Sequence, residues 1–464
     1  MKRFATSSRS SGCTGPGAAP AIGLALAVVL AASPARADDD AMPPLPTWMD
    51  PTDALNPVSL VRGAGIKVGE GTILQPQLGI ETGVVSNVFY QNTGGVTAGL
   101  LRILLEIGTG SLSNQRLGLR PATDEQDSSP PSGIYTDSGD FQYSANLYLS
   151  YDQYLSTNSD VTAQGGLGGG LLLRGIVNPQ RPLQFSFQEN FSRLVRAPNF
   201  EAPVDTDRDI NTLGLRLSYL PTGRSIGGYL YYQNVIDVFE SSNQQFANRM
   251  QNQLGVRLNW QWLPLTRVFG DVSGNFNTGI GDSRKVNSTP LTAVAGIQTV
   301  LTLNTTLNAH VGYTNGFYAA GPSYSALVAG VLFGYRYSPL GRVTGLYSYE
   351  HADSINANFY RDHLFQLTFE QYFAPFVVFA RPELRLREYQ GTSQVVMGGS
   401  SDTRDDTILA ITLGMRYNFR DWIAGTLDYR LSDVQTDFRY MAGGVTLNPS
   451  YVRHELMLGV RAAY

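Results

Sequence analysis

The 464 residues include one cysteine, four histidines and four tryptophans. Each scarcity removes a class of chemistry. Cys13 stands before Ala21 to Ala32, an apolar stretch that reads as the h-region of an export signal. Lys2, Arg3 and Arg9 form its positive n-region, and Ala35-Arg36-Ala37 fits the small-x-small cleavage rule. Cleavage after Ala37 would carry Cys13 away, so neither disulfide nor thiolate chemistry is expected of the mature chain. No HExxH or GxSxG pattern and no paired-acid motif occurs in a plausible context. His310 with Asn308 and Thr314 is the nearest approach to a catalytic set, and the simpler reading is an ordinary strand histidine. No metal or cofactor is expected, and the chain reads as a non-enzyme. Beyond the signal, no apolar run is long enough for a transmembrane helix. Basic excess is also missing. Removing residues 1–37 takes four positive charges and no acid, so the net charge moves from −4 to −8. That balance excludes a nucleic-acid partner.

What is abundant is glycine (49), tyrosine (25) and phenylalanine (21), in a two-residue rhythm. Phe141, Tyr143, Ala145, Leu147, Leu149 and Tyr151 alternate with Gln142, Ser144, Asn146, Tyr148, Ser150 and Asp152. Leu254 to Trp262 and Ile411 to Phe419 repeat the pattern. A period of two means β-strands with different solvents on their two faces. An exported chain without apolar helices can cross a membrane as a closed barrel, because closure pairs every backbone amide.

Apolar faces tend to end in aromatics before tight turns: Tyr219 before Pro221, Trp260 and Trp262 before Pro264, Tyr335 and Tyr337 before Pro339. These fit an aromatic girdle at one membrane interface. Short turns alternate with longer polar loops such as Glu240–Asn248 and Gly279–Ser288, the short side being periplasmic. The spacing predicts about eighteen antiparallel strands in an all-β, up-and-down transmembrane barrel, among them 72–90, 159–177 and 447–464. A solenoid or propeller would require sequence similarity between repeats, and only the pattern repeats. The expected organisation is a signal peptide over 1–37, a Pro-rich periplasmic lead-in over 38–71 and a barrel over 72–464. A long periplasmic insert near 110–140 reads as disordered or as a docking segment.

The same alternation turns Arg216, Arg257, Arg336, Glu370, Arg381, Glu383, Arg385, Arg387, Arg416, Asp428 and Arg430 toward the lumen as candidate pore-lining residues, with Arg461, Glu350 and Glu455. An arginine facing lipid at mid-depth costs roughly 2–4 kcal/mol, which favours the inward phase. Salt bridges that only stiffen the wall would explain any one of them. As a set they suit anionic or hydroxyl-rich solutes. Tyr148, Tyr372 and Phe379 also face inward, as stacking platforms or as packing.

The final strand, Glu455 to Tyr464, alternates strictly and ends in an aromatic, so it resembles the terminal signal of bacterial outer-membrane β-barrels; Ala462 departs from that signal. The resemblance implies outer-membrane localisation in a Gram-negative bacterium, contact with outer-membrane lipid, and recognition by the barrel-assembly machinery through the strand ending at Tyr464. The first strand, Leu74–Tyr90, is similar to the opening strand of the β-barrel porin 2 family. Pro76, Gly83 and Ser86-Asn87-Val88-Phe89 carry the likeness, and Val84 departs from the usual tyrosine. Some such barrels export polysaccharide with a periplasmic polysaccharide-export protein. The resemblance therefore implies an export channel, with docking on 110–140 or the lead-in. A passive general or anion- or sugar-selective porin is the alternative, and a non-transport barrel, enzymatic or structural, is the third reading. A monomer is expected.

Overall fold

The computed structural model describes residues 65–68, 72–110, 140–179, 181–195, 207–221, 223–338, 340–391, 403–436, 438–442 and 445–464. The export signal, nearly all of the lead-in and residues 111–139 of the insert lie outside the described residues.

Eighteen long strands form one closed antiparallel sheet. They are β1 Ile73–Val85, β2 Ala98–Gly110, β3 Phe141–Leu155, β4 Gly166–Val177, β5 Leu183–Leu194, β6 Arg208–Tyr219, β7 Ile226–Phe239, β8 Arg249–Leu263 and β9 Thr266–Gly279. After them come β10 Leu291–Thr302, β11 Thr305–Gly316, β12 Tyr324–Ser338, β13 Gly341–Asp353, β14 Phe359–Phe373, β15 Phe376–Gln390, β16 Thr403–Arg420, β17 Ile423–Thr436 and β18 Tyr451–Ala463. Each strand pairs with its neighbours in sequence. β18 closes on β1, from Gln77 opposite Ala463 to Val85 opposite Glu455. Closure leaves no open edge, which is what lets a sheet stand in lipid. Two residues of the lead-in, Ile66 and Lys67, fold back on β1 opposite Leu74 and Ile73.

Burial follows the two-residue period with the sense of a membrane barrel. Outward apolar side chains are exposed, Leu458, Leu327 and Leu258 among them, while inward polar ones are buried. The exposed aromatics Tyr219, Trp260, Trp262, Phe373, Phe419 and Tyr464 gather at the end where strands join by tight turns. This turn end also carries both ends of the barrel. At the seam, Gly83 of β1 lies so close to Leu456 of β18 that a Cβ would collide with the Leu456 carbonyl oxygen. The glycine of the opening motif thus has a physical reason: it lets the closing strands meet.

Three boundaries differ from the sequence expectation. β1 stops at Val85, because Asn87 and Tyr90 adopt left-handed backbone (φ 51° and 53°). The Asn87 side chain closes that turn, donating to the Gln91 carbonyl at 2.7 Å and accepting from the Gln91 amide at 2.8 Å. Residues 159–165 are not strand. Ser159–Thr162 is a helical turn capped by Asn158, whose side chain accepts from the Asp160 amide at 2.8 Å. β18 begins at Tyr451 rather than 447, after a small hairpin of Tyr440–Ala442 with Val445–Leu447.

Candidate functional site: the inner wall

Strand phase places all eleven predicted lumenal residues on inward rows, and the register shows which of them meet. On β15, Arg385 lies beside Glu383 and reaches Asp362 of β14 at 3.1 Å. Arg387 reaches the same carboxylate at 2.8 Å and stacks over Tyr360 at 4.0 Å. Arg416 pairs with Asp428 across β16 and β17 at 2.8 Å. Glu370 takes Arg342 of β13 at 2.7 Å. Arg381 lies opposite Thr412, and Arg430 sits between Thr412 and Glu455. Three others stand apart from that cluster. Arg216 lies over Tyr229 at 4.9 Å. Arg257 stacks on Phe269 at 3.8 Å and donates to Asn259 at 3.4 Å. Arg336 donates to the Ser338 carbonyl near the turn end at 3.1 Å.

Arg461 of β18, read as lumenal from the sequence, bonds Glu81 of β1 at 2.6 Å. Glu81 is one of several members that the sequence reading missed. Glu81 lies 3.7 Å from Arg102 of β2, which pairs with Asp152 of β3 at 2.8 Å and Glu455 of β18 at 3.1 Å. Nearer the loop end, Arg404 pairs with Asp406 at 2.6 Å and lies over Tyr389 at 4.8 Å. Arg453 lies over Tyr90 at 4.4 Å, and Tyr90 meets Tyr451 edge-on at 5.1 Å. Arg102 and Glu106 were hidden because their inward companions Leu100 and Leu104 are as apolar as the outward row. Asp152 stood in the polar row of β3 and could have been found there.

These contacts form a charged arc from β14 through the seam to β3. Across β10 to β12 the inward rows hold Gln298, Thr306, Asn308, His310 and Thr314, with Arg336 at the turn end. Threonine pairs and rings over glycines pack that arc: Thr292 meets Thr314 at 2.8 Å, Phe269 covers Gly296, and the His310 ring covers Gly330. Tyr148 and Phe379, offered above as stacking platforms, likewise lie across Gly170 and Gly414 of the neighbouring strands. An inward ring over a glycine fills the gap where a side chain is absent. Their first role is therefore wall packing.

Chemically, the inner wall offers hydrogen-bond donors. Arg257 Nη2, Arg385 Nη2 and Arg416 Nε are buried and have no hydrogen-bond partner among the described residues. A guanidinium has five N–H groups and no acceptor, so only an acceptor-bearing group can satisfy them. Among the described residues no group of three His, Cys, Asp or Glu could hold a metal.

No family model matches the chain, and neither does any curated protein. Solved structures do. The chain is similar to Pseudomonas aeruginosa OccK2 (OpdF) at 11% identity and a TM-score of 0.42, over 84% of this chain and 98% of that one. Pseudomonas aeruginosa OpdK crystallised with vanillate gives 9% identity and 0.43, over 84% and 99%. Acinetobacter baumannii OccAB4 gives 10% and 0.41, over 84% and 98%. Likeness at this level does not extend to solute or mechanism.

Proposed function

We propose that this protein is an outer-membrane channel through which small anionic solutes diffuse passively. The observation that carries the reading is the charged arc, with buried guanidinium donors still open at Arg385 and Arg416, and a further one outside it at Arg257 on β8. A carboxylate passing along the wall can accept from these groups one after another, exchanging water for charge-assisted hydrogen bonds. The arginines hold position because neighbouring carboxylates and rings fix them, so little order is lost when a solute arrives. Asp362, Asp428 and Glu81 keep the wall from binding an anion too tightly to release it. The eleven inward candidates act here as a lining rather than as a binding pocket.

Export of a polysaccharide rests on the first-strand motif alone, and its docking segment near 110–140 lies almost wholly outside the described residues. The test is flux through liposomes holding the refolded barrel. Acetate, benzoate and a sugar acid should enter faster than amines or neutral sugars of equal size. Arg385→Gln with Arg416→Gln should reduce the difference about tenfold. Equal entry of acids, amines and sugars would overturn anion preference. No entry of any small solute, with current blocked by long polysaccharide, would return the export reading.

A further inference from the structure

We infer that the loop end of the barrel carries an ionic latch, centred on Asp353, that holds one sector of the mouth closed. The inference rests on the channel reading above. Its strongest support is a contact that an open wall could not make. Arg249 is the first residue of β8 and Asp353 the last of β13, yet Arg249 Nη1 lies 2.8 Å from Asp353 Oδ2. Five strand spacings separate them along the sheet, about 24 Å at the usual inter-strand distance. Two side chains cannot bridge that span, so the tops of β8 and β13 are drawn together.

The loop between β9 and β10 fastens the join. Lys285 Nζ lies 3.3 Å from Asp353 Oδ2, and it donates to the Ser354 carbonyl and, at 2.9 Å, to the Ala357 carbonyl. The same loop holds the β7–β8 loop: Arg284 donates its amide to the Phe246 carbonyl at 2.8 Å, and the Ser283 hydroxyl donates there at 3.1 Å. Beneath the charges, Phe239 and Ala247 from one side pack with Ile355 from the other. Arg249 also pairs with Asp237 at 2.9 Å through its other N–H groups, so one guanidinium bridges two carboxylates. Tyr318, from the β11–β12 loop, has its phenol pushed up by burial and by the Asp353 carboxylate. One carboxylate at the end of β13 therefore gathers cations from β8 and from the β9–β10 loop.

A shared carboxylate suits a switch. Loss of its charge removes the ion pairs to Arg249 and Lys285 together and leaves only hydrogen bonds to backbone carbonyls across the join, while the backbone of every strand stays paired.

The test places a reporter cysteine at Ser273, inward on β9, in a mature chain expected to have no other. Cells displaying the barrel are treated with a charged, membrane-impermeant thiol reagent. Asp353→Asn should speed labelling about tenfold, and Glu240→Gln, which alters an outward pair, should leave it unchanged. Should Asp353→Asn fail to fold, Ala247→Cys and Ile355→Cys without the reporter, joined by a reducible bis-thiol reagent, should lower single-channel current and recover it on reduction. Unchanged labelling in folded Asp353→Asn, or unchanged current in the joined form, overturns the latch. Faster labelling with no ion current in any variant leaves the latch standing and overturns the channel.

Discussion

The two arcs of the inner wall obey one alternation and differ in everything it leaves free. The charged arc, β14 through the seam to β3, fills its inward rows with arginines and carboxylates wired across strands. The neutral arc, β10 to β12, fills them with threonine, asparagine, glycine and rings laid over glycine. Both show the same apolar face to lipid. The outer face answers to the membrane, so it is uniform; the inner face answers to what shares the lumen, so it is free to diverge. A charged solute inside would feel a weaker field along β10 to β12 than along the charged arc, and would move along the charged wall.

The comparison can be broken most sharply at Asp362. Its carboxylate holds both Arg385 and Arg387 in a buried setting. Asp362→Ala leaves two guanidiniums without it and should cost about 3 kcal/mol of stability, read as a lowered unfolding midpoint in urea with lipid present. A loss under a tenth of that would mean water already satisfies the arc. The neutral arc should respond far less. Thr314→Val removes one hydroxyl bonded to Thr292 at 2.8 Å and should cost about 1 kcal/mol, without changing ion preference. A larger loss there than at Asp362 would reverse the ranking of the two arcs.

Strand number, phase and the inward direction of the arginines were legible because a period of two converts directly into two faces. Which charge meets which was not. Arg385 could have used Glu383 alone; that it also takes Asp362, 23 residues earlier, follows from the register of β14 on β15, which the turn Ala374–Pro375 sets and composition does not reveal. Arg102 was invisible among leucines on both faces. The latch was beyond reach for a different reason. Arg249 and Asp353 lie 104 residues apart, in elements whose loops fold toward each other, and no periodicity records where a loop goes. The helical turn at Ser159 was legible in principle: Asn158 before Ser-Asp is a capping signal that the strand reading overrode.

The most direct test of an anion-selective inner wall is the reversal potential of a single barrel in a planar bilayer under a potassium chloride gradient. The charged arc predicts a potential of the sign that chloride permeation gives, shrinking toward zero when Arg385 and Arg387 are both changed to glutamine. A potential of potassium's sign in the native protein, or one unmoved by that double change, would contradict it.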